Sequence, residues 1–221
     1  MDNSQYTINK LTLKGDLKCA NTDILSYSID YPQVQGGSRN CMEIVNNYYK
    51  TGAFSLKNCY ENRLFCQGVR QKNQQNGEFL PYEAIGTYEI TYNQNCVISL
   101  YYDKYEITGG AHGNTVRCSD TWSMKSGNML NIANFFSRCT NYRNYILAEI
   151  RSQIEKQIEC GDNYYFDDWE NLICQYFDKN SFYLTPEGVN IYYQLYEIAP
   201  YVAGIISFTI PFDGKNVIKP C

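Results

Sequence analysis

The chain has 221 residues, of which 44% are hydrophobic and 19% charged, a globular composition that excludes a largely disordered chain. Its net charge is −4 and it contains no run of lysine or arginine, so nucleic acid is not an expected partner, because binding to the phosphate backbone requires a basic surface. No stretch approaches the roughly 20 apolar residues of a membrane-spanning helix, so no membrane segment is expected in this chain.

The first third of the chain predicts two strands followed by a long helix. A short strand is expected over residues 6–13 and a half-buried one over residues 24–31, where alternate residues are apolar and Pro32 ends the pattern. Ser38 or Asn40 can then cap a helix that continues to about residue 70, with a bend near Gly52, before an exposed loop over residues 71–78. Its apolar stripe consists of Cys41, Ile44, Val45, Tyr48 and Tyr49.

The middle of the chain predicts three consecutive strands, over residues 82–92, 97–107 and 115–124. The first two should form an antiparallel hairpin through a turn at residues 93–95, and a further turn follows at residues 125–128. The many tyrosines of the chain, 22 in all, suit half-buried strand positions of this kind.

The last third predicts helices followed by strands. A helical turn is expected over residues 131–136, and a helix from Thr140 to Gly161 carries the stripe Leu147, Ile150, Ile154 and Ile158. Asp167 or Asp168 can cap a short helix, and strands are expected over residues 182–184, 189–198 and 205–212.

These elements predict an α+β fold, with a largely antiparallel sheet and about three helices packed on one face. We find no repeat, no low-complexity tract and no linker between independent domains. The chain is therefore expected to form a single globular domain over residues 1–221, in which halves of about 1–107 and 108–221 share one core.

Ten cysteines leave the redox state open. Cys-x-x-Cys does not occur, which argues against a zinc ribbon or a thioredoxin-like site. Five disulfides would fit a secreted protein, and ten thiols would fit a reducing cytoplasm. Free thiols are slightly favoured, because a chain of this length does not need disulfides to form a core.

The N-terminal sequence shows no apolar signal region. Two explanations stay open: a cytoplasmic protein if the chain is complete, or an extracytoplasmic one if a signal or anchor has been removed.

An ordered set of short motifs carries a resemblance to a known family. It begins with the segment from Thr108 to Gly113, Trp122, the turn at residues 125–127 and the stretch from Leu130 to Phe136. It continues with Phe-Tyr-Leu-Thr-Pro-Glu-Gly at 182–188, Tyr-Glu-Ile-Ala-Pro-Tyr-Val-Ala-Gly at 196–204 and Ile-Pro-Phe at 210–212. Together these motifs resemble the extracytoplasmic domain of RsiV-type anti-sigma factors, and a similar domain pair of unassigned function that accompanies some peptidoglycan deacetylases. Residues 1–107 resemble this pattern more weakly.

The resemblance implies a binding module of the bacterial cell envelope, because the anti-sigma factor is a receptor for lysozyme. The chain differs from that receptor: it lacks a cytoplasmic sigma-binding segment and a transmembrane helix, and it carries ten cysteines. Lysozyme is therefore a protein partner implied by the resemblance alone. The oligomeric state cannot be read from the sequence.

The six-residue segment between the second and third middle strands is one candidate binding site: Thr108, Gly109, Gly110, Ala111, His112 and Gly113. His112 is the only histidine of the chain, so a site with several histidine ligands is excluded. The imidazole can act as a general base or a single metal ligand. A structural interpretation is favoured, in which the glycines permit positive φ and the imidazole binds backbone groups.

A second candidate site is the corner between the last two long strands. Pro200 and Tyr201 are interpreted either as a turn residue with a packed tyrosine, or as a contact loop anchored by the Tyr201 ring. Residues 108–113 are suggested to contribute to the same surface.

Motifs for catalysis are not evident. We find no nucleophile elbow, phosphate-binding loop or dinucleotide fingerprint, and helix capping explains Asp167 and Asp168 better than acid catalysis does. No spacing pairs a particular cysteine with His112.

The sequence thus favours a non-catalytic binding or sensing module without cofactor or metal. The alternatives are a cell-wall glycan-processing enzyme with an unrecognised site, and a stand-alone cytoplasmic protein of unassigned role.

Overall fold

The computed structural model describes residues 5–75, 77–161 and 164–220. These residues form two compact units. The first contains residues 90–101 and the chain from residue 117 onward, and the second contains residues 6–89 and 102–116.

Six strands form the larger sheet, in the order β1-β2-β3-β4-β5-β6. Strands β1 and β2 are antiparallel, β2 and β3 pair in parallel over residues 25–29 and 82–86, and β5 and β6 are antiparallel. The strands are β1 (Thr7–Cys19), β2 (Thr22–Gln35), β3 (Tyr82–Gln94), β4 (Val97–Ile107), β5 (Asn114–Ser123) and β6 (Asn128–Met129).

Strands β1 and β2 form one hairpin that is longer than the two predicted strands. Ala20 and Asn21 both adopt positive φ, 47° and 64°, and join the strands through a two-residue turn. The expectation that Pro32 ends the second strand is wrong, because β2 continues to Gln35. Pro32 lies beyond the segment of β2 that pairs with β3, so its missing N–H removes no bond to that strand.

One uninterrupted helical segment follows β2. It consists of α1 (Arg39–Cys59), a π-helical turn (Tyr60–Leu64) and α2 (Phe65–Gln74). The helix was expected to end near residue 70, and the structure extends it by one turn into the expected loop. The hydrogen-bonding pattern changes at Tyr60 and not at Gly52, where α1 is regular.

The buried stripe of α1 is narrower than the predicted one. Cys41, Val45 and Tyr49 are buried, whereas Ile44 and Tyr48 are exposed. From this helix, the side-chain amide of Asn46 binds the end of strand β2. Its Oδ1 accepts from Val34 N at 2.7 Å and its Nδ2 donates to Val34 O at 3.0 Å. The amide therefore supplies partners for both backbone groups of Val34, which lies beyond the segment of β2 that pairs with β3.

The first unit contains the second sheet, a three-stranded antiparallel one in the order β7-β8-β9. Its strands are β7 (Phe182–Leu184), β8 (Gly188–Tyr193) and β9 (Ile206–Pro211). Helix α3 (Tyr142–Glu159) packs against β9, where Gln153 Nε2 donates to Thr209 O at 2.9 Å, and also contacts α4 (Trp169–Gln175). Short 3-10 helices lie at Ile132–Phe135 and Tyr201–Ala203.

A large apolar core fills this unit. Helix α3 contributes Ile146, Ile150 and Ile154, and the three-stranded sheet contributes residues that include Ile191 and Phe208. The predicted strand over residues 189–198 is too long at its end, because β8 stops at Tyr193 and residues 194–204 form a corner before β9.

A buried hydroxyl links β4 to the start of the smaller sheet. Ser99 Oγ accepts a hydrogen bond from Leu184 N at 2.9 Å and lies 2.7 Å from Thr121 Oγ1. All three groups are therefore satisfied inside the protein, as buried polar groups must be.

The predicted α+β fold with about three helices and mostly antiparallel strands is confirmed, with the strands divided between two sheets. Of the helices in the described residues, none is both long and apolar enough to cross a bilayer.

Candidate binding surface

The corner between β8 and β9, residues 194–204, exposes two large apolar side chains, those of Tyr196 and Val202. Val202 is 90% exposed and Tyr196 is 52% exposed, and the Tyr196 and Tyr201 rings lie 5.7 Å apart. Pro200 begins the 3-10 helix at the tip, and its carbonyl accepts from Ala203 N at 2.9 Å. The corner therefore presents the Tyr196 ring and a valine to solvent, with the half-buried Tyr201 ring beside Tyr196.

Tyr196 adopts a left-handed backbone conformation, with φ of 67°. A bulky residue at positive φ is strained, and such strain persists only where neighbouring contacts impose it. Ile198 and Ala199 fix the chain soon after Tyr196, because both are buried and Ile198 O accepts from Phe166 N at 3.1 Å.

The base of the corner is held by the side chain of Gln194. Its Oε1 accepts from Arg117 N at 3.0 Å and its Nε2 donates to Arg117 O at 2.7 Å, so the amide occupies both backbone groups of one β5 residue. Glu197 Oε2 accepts from Gln194 N at 2.6 Å. Burial raises the pKa of the Glu197 carboxyl above its ordinary value. The corner therefore has a base that is fixed by hydrogen bonds and a tip that is exposed to solvent.

Aromatic rings position Arg117 itself. Its guanidinium lies 3.6 Å from the centre of the Tyr101 ring and 6.0 Å from that of Tyr192, and the Tyr101 ring packs on Tyr183 at 5.1 Å. Burial raises the pKa of the Tyr192 hydroxyl to about 12. This hydroxyl is therefore neutral at physiological pH, and the ring cluster acts as a rigid support for the corner.

The segment from Thr108 to Gly113 connects β4 to β5 within the second unit. Gly113 is buried, and a Cβ there would lie 2.3 Å from the Tyr105 ring, while Gly109 has φ of 84°. His112 is exposed and its Nδ1 lies 3.1 Å from Gly113 O. These contacts agree with the structural interpretation of the glycines and the imidazole.

The two predicted sites thus belong to different units: Pro200 and Tyr201 to the first, and Thr108, Gly109, Gly110, Ala111, His112 and Gly113 to the second. A binding role for residues 108–113 stays a prediction. Sequence reasoning missed Tyr196 and Val202, which are the most exposed large apolar side chains of the corner. The sequence carries no signal for this exposure, because Tyr196 lies four residues before Pro200 within what looked like a continuing strand.

The predicted cap of α4 is only partly as expected. Asp168 is the N-cap residue of α4, but its Oδ1 accepts from the Asn171 side chain at 2.5 Å and not from a backbone N–H. Within the described ranges, no group of three or more His, Cys, Asp or Glu side chains is arranged to hold a metal ion.

A polar cluster in the second unit was not predicted from the sequence. Glu61 accepts hydrogen bonds from Lys57 Nζ and from the Tyr27 hydroxyl, each at 2.6 Å. The hydrogen bond from Lys57, and to a smaller extent the one from Tyr27, lowers the pKa of the Glu61 carboxyl. Burial, and to a smaller extent the hydrogen bond to Glu61, raises the pKa of the Tyr27 hydroxyl to about 12. The cluster ties the helix to β2, which is a structural role.

Two family models match separate parts of the chain. Residues 18–115 match the model described as Deacetylase PdaC, and residues 133–213 match the model described as Protein of unknown function (DUF3298). The predicted similarity to domains of unassigned function that accompany some deacetylases is therefore supported in these two segments. No curated protein shows significant similarity to the chain.

Two crystal structures of DUF3298 family proteins share the fold. The protein from Bacteroides fragilis has 15% sequence identity and a TM-score of 0.71, over 100% of this chain and 96% of that one. The protein from Pseudomonas aeruginosa has 14% identity and a TM-score of 0.68, over 99% of this chain and 96% of that one. At these identities the likeness establishes the fold alone.

Proposed function

We propose that this chain is a non-catalytic binding module and that the corner at residues 194–204 contacts a protein partner. The observation that carries the proposal is the combination of an exposed apolar tip with a fixed base. Val202 is 90% exposed, Tyr196 keeps a strained backbone, and the Gln194 amide holds both backbone groups of Arg117. Rigid aromatic side chains are the usual anchors of protein interfaces, because ordering them costs little entropy.

A lysozyme is the partner that we test first. The resemblance to the lysozyme-responsive ectodomain suggests it, and the net charge of −4 with a pI near 5.1 complements a strongly basic enzyme. Opposite charge accelerates association, so the on-rate should fall as salt is added.

Calorimetric titration of the purified chain into a C-type lysozyme tests this partner. We expect heat of binding and inhibition of lysozyme activity. Absence of both at high micromolar concentration would remove lysozyme as the ligand.

The role of the corner is tested with matched tyrosine variants. Tyr196→Ala should weaken binding by at least about tenfold, which corresponds to about 1.4 kcal/mol. Tyr176→Ala is the control, because Tyr176 is another exposed tyrosine of the same unit, at the end of α4. Equal losses in the Tyr196 and Tyr176 variants would contradict the corner as the contact site.

A second candidate function follows from the description of the model that matches residues 18–115, a deacetylase. In that case the chain, alone, would release acetate from an oligomer of N-acetylglucosamine or from peptidoglycan. The binding proposal predicts that acetate stays at the level of a no-protein blank. Acetate release that increases with the amount of protein would overturn the binding proposal and support the enzymatic function.

A further inference from the structure

Strand β1 forms a long open edge of the six-stranded sheet. Among the described strands it pairs with β2 alone, and it presents 13 residues, whereas the opposite edge strand, β6, has two. The hairpin register shifts between Leu17 and Lys18 because β2 contains the extra residue Ile24, so β1 itself keeps a regular alternation. Alternate N–H and C=O groups of β1 therefore point away from β2, as they do in any edge strand.

We propose that β1 pairs with β1 of a second copy of this chain, antiparallel and across a two-fold axis at Leu13. In such a self-pairing, two opposed residues direct their backbone groups either both toward the partner strand or both away from it, so their numbers add to an even sum. The register centred on Leu13 places Thr7 opposite Cys19 and thereby pairs the whole strand.

The charges on β1 select the same register. Lys10, Asp16 and their symmetry mates lie on one face of the pair, and the Leu13 axis places each Lys10 opposite an Asp16, while Lys14 faces Thr12. Opposite charges in directly facing positions stabilise a strand pair, and like charges destabilise it.

The neighbouring registers lack this match. An axis at Thr12 opposes Lys10 to Lys14, and an axis at Lys14 opposes Lys10 to Lys18. An axis at Gly15 does oppose Lys14 to Asp16, but it pairs only residues 11–19.

Side chains along β1 are accessible to a second copy. The Lys10 side chain is 62% exposed although its Nζ lies 3.1 Å from Asp30 Oδ2, so it can face a second carboxylate. Leu11, which is 43% exposed, would lie opposite Gly15, and Leu13 opposite Leu13. Pairing thus covers apolar surface on one face and matches charges on the other.

Size-exclusion chromatography with light scattering on the full chain tests the pairing. We expect a concentration-dependent mass that approaches twice 25.6 kDa. Lys10→Asp and Asp16→Lys should each raise the dimer dissociation constant by about tenfold or more, because each variant opposes like charges twice.

Mixing these two variants is the decisive measurement. The mixed pair again has opposite charges at both facing positions, so the dimer mass should return, as it should in the double variant Lys10→Asp/Asp16→Lys. Lys14→Asp is the matched control: it changes the same charge on the same face, but opposite Thr12, and should leave the dimer intact.

A monomeric wild-type chain at high concentration overturns the proposal, as do variants that stay dimeric or a mixture that stays monomeric. Thermal melting by circular dichroism confirms that each variant is folded. If Lys10→Asp is unfolded because it faces Asp30, Asp16→Lys alone decides: a dimer with wild-type affinity rules out the Leu13 register.

Discussion

Two buried tyrosines of this chain differ in a single hydrogen bond. The Tyr193 hydroxyl donates to Ile173 O at 2.9 Å, whereas the Tyr60 hydroxyl, at the start of the π-helical turn, has no hydrogen-bond partner among the described residues. Both rings are almost fully buried. A buried hydroxyl without a partner loses its bonds to water and gains none in return, so its burial is unfavourable.

Replacing each of these tyrosines by phenylalanine should therefore have opposite effects. Tyr60→Phe is expected to leave the free energy of unfolding unchanged or to raise it by about 1 kcal/mol, and Tyr193→Phe to lower it by about 1 kcal/mol. Urea denaturation measures both. A clear loss of stability in Tyr60→Phe would show that its hydroxyl is bonded, for example to a buried water.

Asp213 closes the turn after β9. Its Oδ1 accepts from the backbone N–H groups of Lys215, Asn216 and Val217 at 2.8, 2.7 and 2.8 Å. These N–H donors, of which Val217 contributes most, hold the pKa of the Asp213 carboxyl well below its ordinary value. The stability that the carboxylate contributes is thus present above the unfolded-state pKa of about 3.9, and it is lost as the pH falls through the lower folded-state pKa.

Asp213→Ala should consequently lower the melting temperature at neutral pH. The difference from the wild type should be constant above about pH 5 and shrink below about pH 4. Asp213→Asn keeps an acceptor oxygen without the charge, and should retain part of the stability while losing its pH dependence. A difference that does not change down to pH 2 would contradict the assignment of the low pKa to this turn.

At the scale of the elements, two glycines illustrate opposite demands of strand and helix. A Cβ at Gly188 in β8 would lie 2.2 Å from Ile210 O in β9, where the two backbones approach closely. Gly52 in α1 is exposed, and a Cβ there would meet nothing within 4 Å.

The same change should therefore destabilise one element and stabilise the other. Gly188→Ala is expected to lower the free energy of unfolding by about 2 kcal/mol, because backbone must move. Gly52→Ala should raise it by roughly 0.5–1 kcal/mol, the helix propensity difference. Chemical denaturation of both variants measures this, and a neutral Gly188→Ala would show that β8 and β9 can separate without loss.

Periodicity predicted most elements of this fold, and it failed where local geometry decided. Strand β4 and strand β7 have the predicted bounds, because apolar alternation and flanking turns mark them. The β1–β2 turn was missed because Ala20 and Asn21 lack the Asn-Gly signature of turns with two positive φ angles.

The corner was predicted at Pro200 and Tyr201 from its turn residues. The exposure of Tyr196 and Val202 was not predictable, since it depends on which neighbours bury Ile198 and Ala199. Alternation alone continues β8 through these positions. The strand pattern ends instead at Gln194, whose side chain bonds the backbone of Arg117, 77 residues away in sequence.

At the scale of the whole molecule, the cysteines differ in accessibility. Cys66, Cys139 and Cys160 are exposed thiols, and Cys41 is a buried one. Thiolate chemistry requires access to the reagent, so burial protects a thiol in the folded chain.

Alkylation without reductant should accordingly proceed in two stages. Native protein should be modified first at Cys66, Cys139 and Cys160, and Cys41 should react only after denaturation. Peptide mass mapping identifies the sites. Resistance of the three exposed cysteines both before and after denaturation would indicate disulfides at these positions.

The hydrogen bonds from the Gln194 amide to the Arg117 backbone leave the rest of the corner free to change in sequence during evolution. Because the amide grips main-chain atoms of Arg117, the grip is indifferent to the side chains farther along the loop. Residues 200–203 can therefore be substituted while the hydrogen bonds between Gln194 and Arg117 stay in place. Chains that share this fold are then expected to vary at the positions of residues 200–203 while keeping a glutamine-like amide at the base of the corner.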